Sequence, residues 1–149
     1  MKIKIKLLHE NAKVPFKHHD TDACFDCVAT EMEDLHFGYV RSKPMVVKYK
    51  LGIAFDLPEG VWIDLRPRSS VYKTGLSLSN GCGVGDESYT GEYMAMFYNI
   101  HTELPNYKVG DSVCQIRFVG VKEPVTGFEI VDELRTTNRG AGGFGSTDK

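Results

Sequence analysis

The 149-residue chain has 18 basic and 20 acidic side chains and a formal charge of -2, so no global field draws it to a long polyanion. At 42% apolar and 26% charged it has material for one domain with a real core, and its 15 glycines favour a turn-rich β protein. No stretch approaches a membrane span, and the N-terminus lacks the apolar core and cleavage site of a signal peptide. A soluble, cytoplasmic or otherwise intracellular protein is expected, with no membrane or nucleic-acid partner.

In chain order, Lys2 to Leu7 alternates polar and apolar residues, the pattern of a strand whose lysines form a solvated edge. His18-His19 carries little metal signal, because neighbours on an extended chain point to opposite sides. Cys24 and Cys27 have the spacing of a zinc or redox motif, but no second pair of ligands follows. The four cysteines, Cys82 and Cys114 included, read as reduced thiols. Glu31 to His36 is a helix candidate. Strands are expected at Met45 to Leu57, Val61 to Leu65, Tyr93 to Ile100, Ser112 to Val121 and Phe128 to Val131. A short helix is expected from Ser69 to Thr74, capped by Ser69 or Ser70 and ended by Gly75. Many short strands joined by tight turns imply an all-β, jelly-roll-like domain over residues 1–138. Residues 139–149 would form a flexible glycine-rich tail.

Three segments carry chemistry. Arg139 to Thr147 places four glycines, an arginine and two hydroxyls within nine residues. Glycines let backbone N–H groups approach phosphate oxygens, and the lone aromatic Phe144 wants a flat surface such as a nucleobase. Arg68, Ser69 and Ser70 put a guanidinium and two hydroxyls at a helix start, where free N–H groups favour an anion. Asn80 to Glu92 is a glycine-punctuated hairpin with Asp86 and Tyr89 near its tip, whose backbone could read a base edge.

Together with Asp22 to Asp26 and Val109 to Gln115, these segments follow in order the five motifs of the trimeric dUTPase family, which the chain closely resembles from about Asp20 to Thr147. The PRSS and RGAGGFGST segments are the strongest matches. Three features depart from the pattern. Cys24 and Cys27 stand where glycine and leucine are usual. Gly85 replaces a bulky aliphatic residue, which should loosen the hairpin and weaken base selection. The stretch from Glu31 to Lys50 is longer than the usual connection.

The resemblance implies hydrolysis of dUTP to dUMP and pyrophosphate, with Asp86 orienting the water that attacks the α-phosphorus. Mg2+ would be held mainly by the triphosphate, with Asp26 touching its water shell. It further implies phosphate contacts from Arg68, Ser69, Ser70, Gln115, Arg139, Ser146 and Thr147, with Asp111 positioning Arg68. Asn80, Gly83, Val84, Gly85 and Tyr89 would frame base and sugar, Phe144 would stack on uracil, and the sites would be shared within a homotrimer, the tail closing a neighbour's site. A dUTP-binding regulator of a protein partner and, from a related fold, a dCTP deaminase are the alternative readings.

Overall fold

The computed structural model describes residues 1–40 and 42–143. Eleven strands build three sheets around one core. In the first, β1 (Lys2–Leu7) lies between β5 (Ile53–Asp56), antiparallel, and β11 (Gly127–Ile130), parallel. In the second the order is β2 (Phe25–Val28), β10 (Ser112–Val119), β6 (Trp62–Arg66), β8 (Gly83–Gly85). The third runs β3 (Glu31–Val40), β4 (Lys43–Lys50), β9 (Met94–Asn99), β7 (Leu76–Leu78). The inward residues Ile3, Phe55, Ile63, Ile116, Tyr49 and Phe97, drawn from all three sheets, are fully buried. The expected all-β, jelly-roll-like fold is what the chain adopts. Among the described residues no helix is long and apolar enough to cross a membrane.

Four expectations need correction. β1 has the foreseen alternation, with Ile3 and Ile5 inward, but it is a central strand, because β11 arrives from the far end of the chain to cover its open side. Glu31 to His36 lies within β3. Cross-strand ion pairs of Glu31 with Lys50 and Glu33 with Lys48 hold it extended, so tertiary pairing overrides local helix propensity. The run from Met45 to Leu57 is two strands in two different sheets. The chain turns between them at Gly52, whose φ is +65° and where a side chain would meet His9 Cβ and Thr30 Cγ2 at 2.9 Å.

The fourth concerns the short helix, a 3-10 segment over Ser69–Lys73. Its N-cap residue is Arg68, with no side-chain cap, and it closes at Thr74, whose N–H and hydroxyl both donate to the Val71 carbonyl, at 2.9 and 2.6 Å. Neither serine caps it and Gly75 does not end it. The turn still serves to lift Arg68 and Ser69 clear of the sheet.

Gly52 therefore has both a left-handed backbone and no room. Gly52→Ala should destabilise the fold by about 2 kcal/mol, read as a lowered denaturation midpoint with an unchanged slope.

Candidate active site

The second sheet carries two separate half-sites, one at each edge. At one edge β8 pairs with β6, Leu65 opposite Gly83 and Ile63 opposite Gly85. The turn before β8 is closed by the Gly81 N–H on the Leu78 carbonyl at 3.1 Å, and the turn after it by the Tyr89 N–H on the Asp86 carbonyl at 3.0 Å. A cavity of about 230 Å³ opens against this hairpin, lined by Asn80, Gly83, Val84, Gly85, Tyr89 and Arg139 among others. All five residues expected to frame base and sugar within the described chain thus line one pocket. Three glycines are among its lining residues, and their backbone presents fixed donors and acceptors beside side-chain-bearing neighbours such as Leu65, Tyr93 and Met94. Tyr89 is buried, and its hydroxyl donates to the Glu92 carbonyl at 2.8 Å, which fixes the ring as one wall.

Asp86 follows Gly85 directly, half-exposed, and is ion-paired with Arg139 Nη1. Arg139 also donates from Nε to the Gly142 carbonyl at 2.8 Å and lies 5.8 Å over the Tyr89 ring. Upstream, Arg135 bridges Asp56 and Glu87, and the Thr137 hydroxyl donates to Ser88 O. The Thr90 N–H donates to Gly140 O at 2.9 Å. The start of the tail, through Gly143, is therefore seated on its own chain's hairpin rather than free. Phe144, Ser146 and Thr147 lie outside the described residues.

At the other edge, β2 and the 3-10 segment frame a cavity of about 350 Å³ lined by Asp22, Asp26, His18, Arg68, Ser69 and Gln115 among others. Gln115 pairs with Asp26 on one side and Arg66 on the other, and its Nε2 donates to the Pro67 carbonyl at 2.9 Å. Four expected phosphate or metal residues (Asp26, Arg68, Ser69 and Gln115) converge here. Ser70 is outside the lining. Asp26 is buried, and its Oδ2 lies 2.8 Å from Arg68 Nη2 and 3.3 Å from His18 Nε2, yet no approach has hydrogen-bond geometry. The contacts are electrostatic and leave a buried acceptor unsatisfied, the kind of oxygen that suits the water shell of a hard divalent cation.

One role was misplaced by sequence reasoning. Asp111 does not position Arg68: its Oδ2 accepts the Lys108 N–H at 2.7 Å and closes a turn, so the carboxylate beside Arg68 is Asp26. At Gly85 the Tyr93 ring fills the space that a side chain would take. The four cysteines, Cys24 and Cys27 among them, are free thiols, as expected. Cys27 stands opposite Cys114 across β2 and β10, both buried, and contact with Cys114 together with burial holds the Cys27 thiol well above its ordinary value. No cluster able to hold a metal by three His, Cys, Asp or Glu ligands occurs among the described residues. His18 and Tyr93 were missed as site residues. The first shared its signal with His19, and the second sits in register with the core face of β9.

Between the half-sites, buried Asp64 on β6 accepts from Arg66 Nε and from Arg117 Nε on β10, each at 2.8 Å. Three strand spacings, about 14 Å, separate β2 from β8.

Fold and site define a β protein with a hairpin pocket and a separate arginine-carboxylate cavity. The dUTPase family model matches residues 10–148. Among relatives, deoxyuridine 5'-triphosphate nucleotidohydrolase of Nautilia profundicola is 37% identical over 153 residues, covering 100% of both chains. That of Yarrowia lipolytica is 34% identical over 148 residues, covering 99% of this chain and 89% of the relative. Among solved structures, Staphylococcus bacteriophage 80alpha dUTPase with dUPNHPP aligns with a TM-score of 0.64 at 26% identity over 97% of each chain. A mutant dUTPase from phage phi11 of S. aureus, described with a structural Mg(II) ion, aligns at 0.65 with 24% identity, covering 89% of this chain and 98% of that one. The chain belongs to the dUTPase family.

Burial pushes the Asp64 carboxyl up, but hydrogen bonds from Arg66 and Arg117 outweigh it and hold the group below its ordinary value of 3.8. The stability this gives is present at neutral pH and is lost as acid protonates the folded carboxylate below that value. Asp64→Asn should accordingly lower the melting temperature at pH 7, and the gap to the parent should close as pH falls below about 4.

Proposed function

We propose that this protein hydrolyses dUTP to dUMP and pyrophosphate, keeping uracil out of DNA and supplying dUMP for thymidylate synthesis. The observation that carries the reading is the hairpin pocket, which lies beside the paired Asp86 and Arg139. Backbone donors and acceptors at Gly83 to Asp86, with the Asn80 amide, match the edge of uracil and leave the reversed pattern of cytosine unpaired. A mismatch of buried polar groups costs on the order of 10⁴-fold in specificity. Tyr89 packs against the deoxyribose and leaves no room for a 2′-hydroxyl.

Asp86 is the group that orients the attacking water and takes its proton. In the free chain its carboxylate is occupied by Arg139. A triphosphate offers Arg139 a partner of higher charge, so substrate binding draws the guanidinium onto the phosphates and frees Asp86 for water. Arg68, Ser69 and Gln115 hold the phosphates from the body of the protein, Ser70 shaping the same turn. Phe144, with Ser146 and Thr147, closes over base and phosphates and excludes bulk water.

Mg2+ fits the phosphate cavity, where the unsatisfied Asp26 Oδ2 would meet its water shell and Asp22 adds a second carboxylate. Bound with the triphosphate, the ion neutralises charge and polarises the phosphorus. Asp26, beside Arg68, orders the surrounding waters.

Base and α-phosphate of one nucleotide are joined through a single sugar, whereas the two half-sites of one chain lie at opposite edges of a four-stranded sheet. This supports a homotrimer in which one subunit's hairpin faces another's phosphate cavity. The tail, seated on its own hairpin in the single chain, is then free to close a site shared by neighbours.

Pyrophosphate release should be fast from dUTP and slow from dCTP, dTTP and UTP, and absence of release from dUTP would remove the proposed reaction. Asp86→Asn should keep dUTP binding and lose at least about 100-fold in kcat. Chains carrying Asp86→Asn and chains carrying Arg68→Gln should each be inactive alone and regain part of the activity when refolded together. No recovery in mixed assemblies would contradict shared sites.

A further inference from the structure

The floor of the base pocket is held up by a residue with no assigned role. Tyr93 lies just beyond the hairpin, 5% exposed, and also lines the cavity. Its backbone is tied on both sides to the strand leading into β5: the Tyr93 N–H donates to Ile53 O at 2.9 Å and the Leu51 N–H donates to Tyr93 O at 3.1 Å. Its ring is held edge-on by Phe55 at 5.2 Å and by Tyr89 at 5.3 Å. The ring is thus a fixed post directly beneath Gly85. A methyl group on Gly85 would collide with the Tyr93 hydroxyl and sit 2.7 Å from Cζ. The hydroxyl itself is buried and has no hydrogen-bond partner among the described residues. Burying an unpaired hydroxyl costs about 1–3 kcal/mol, so phenylalanine would be the better core residue if only ring burial mattered. The oxygen is the atom that fills the volume left by the absent side chain at Gly85.

We infer that Tyr93 is a positioning residue for base selection, which supports the Gly85 backbone from below and thereby fixes the depth of the pocket that admits uracil and refuses the C5-methyl of thymine. Gly85 and Tyr93 form a size-exchange pair: a side chain absent from the hairpin is replaced by one rising from the core. The inference rests on the dUTP reading, since only in a pyrimidine pocket does floor depth become base selection. Discrimination against one extra methyl is worth about 10–200-fold, and it depends on a floor that cannot yield.

The test is the ratio of kcat/KM for dUTP to that for dTTP, with melting temperature measured on the same samples. Tyr93→Val empties the space under Gly85, and the ratio should fall by at least about 10-fold through a better KM for dTTP. Tyr93→Phe removes only the oxygen and should lower the ratio less. Gly85→Val/Tyr93→Val returns the volume from the hairpin side and should restore the ratio to within about threefold of the parent. A folded Tyr93→Val with the parental ratio would show that Tyr93 is core packing alone. A folded double variant that stays unselective would equally overturn the exchange. Should Tyr93→Val fail to fold, Tyr93→Phe decides, and a parental ratio in it counts against the inference. Failure of the dUTP reading is distinguishable, because the parent itself would then release no pyrophosphate from dUTP.

Discussion

The clamp of Asp64 between Arg66 and Arg117 is the contact on which the site geometry depends. It crosses β6 and β10, the two central strands of the sheet whose outer members carry the half-sites. β6 supports the hairpin through β8 and, two residues past its end, presents Arg68. β10 supports β2 with Asp26 and contributes Gln115 itself. The Asp64 carboxylate is buried while both guanidiniums reach solvent, so it is loss of the arginines that would leave an uncompensated charge near the core. The relative position of the two cavities is therefore fixed by one ionic contact and one strand register.

Around that frame each half-site uses a different material. The pocket half combines hairpin glycines with Tyr89 and Tyr93 as aromatic walls, and one ion pair, Asp86 with Arg139, lies beside it. The other half is lined by charged and polar side chains around the buried Asp26 carboxylate. A nucleoside triphosphate is divided in the same way, an uncharged patterned base at one end and a dense anion at the other. In the proposed reaction the two half-sites answer the two ends of one molecule.

Much of this was legible in the residues. Alternation located Ile3 and Ile5, the motif residues around the hairpin do line a single pocket, and four of the phosphate and metal residues share one cavity. What could not be read was set by partners distant in the chain. Nothing near Glu31 says that Lys50 and Lys48 will hold it in a strand, and nothing near Lys2 says that Gly127 will cover it. Asp111 was assigned to Arg68 by motif order, whereas a turn closes on it locally and the buried Asp26 takes the arginine. The space beside Gly85 is likewise filled by Tyr93, eight residues on, whose own pattern looks like ordinary core.

The first residue is stitched to the segment that leads into β11. The Met1 ammonium donates to the Pro124 carbonyl, and Thr126, 125 residues away from Met1, bonds back to the Met1 carbonyl before β11 runs parallel to β1. On a growing chain β1 must wait with one side bare until the final strand has been made, which places closure of this sheet at the end of folding. The tail begins a few residues after that last strand. Arg139 and Gly140 follow that strand, so a nascent chain has its pocket walls and its clamp made before the residues that seat on the hairpin emerge.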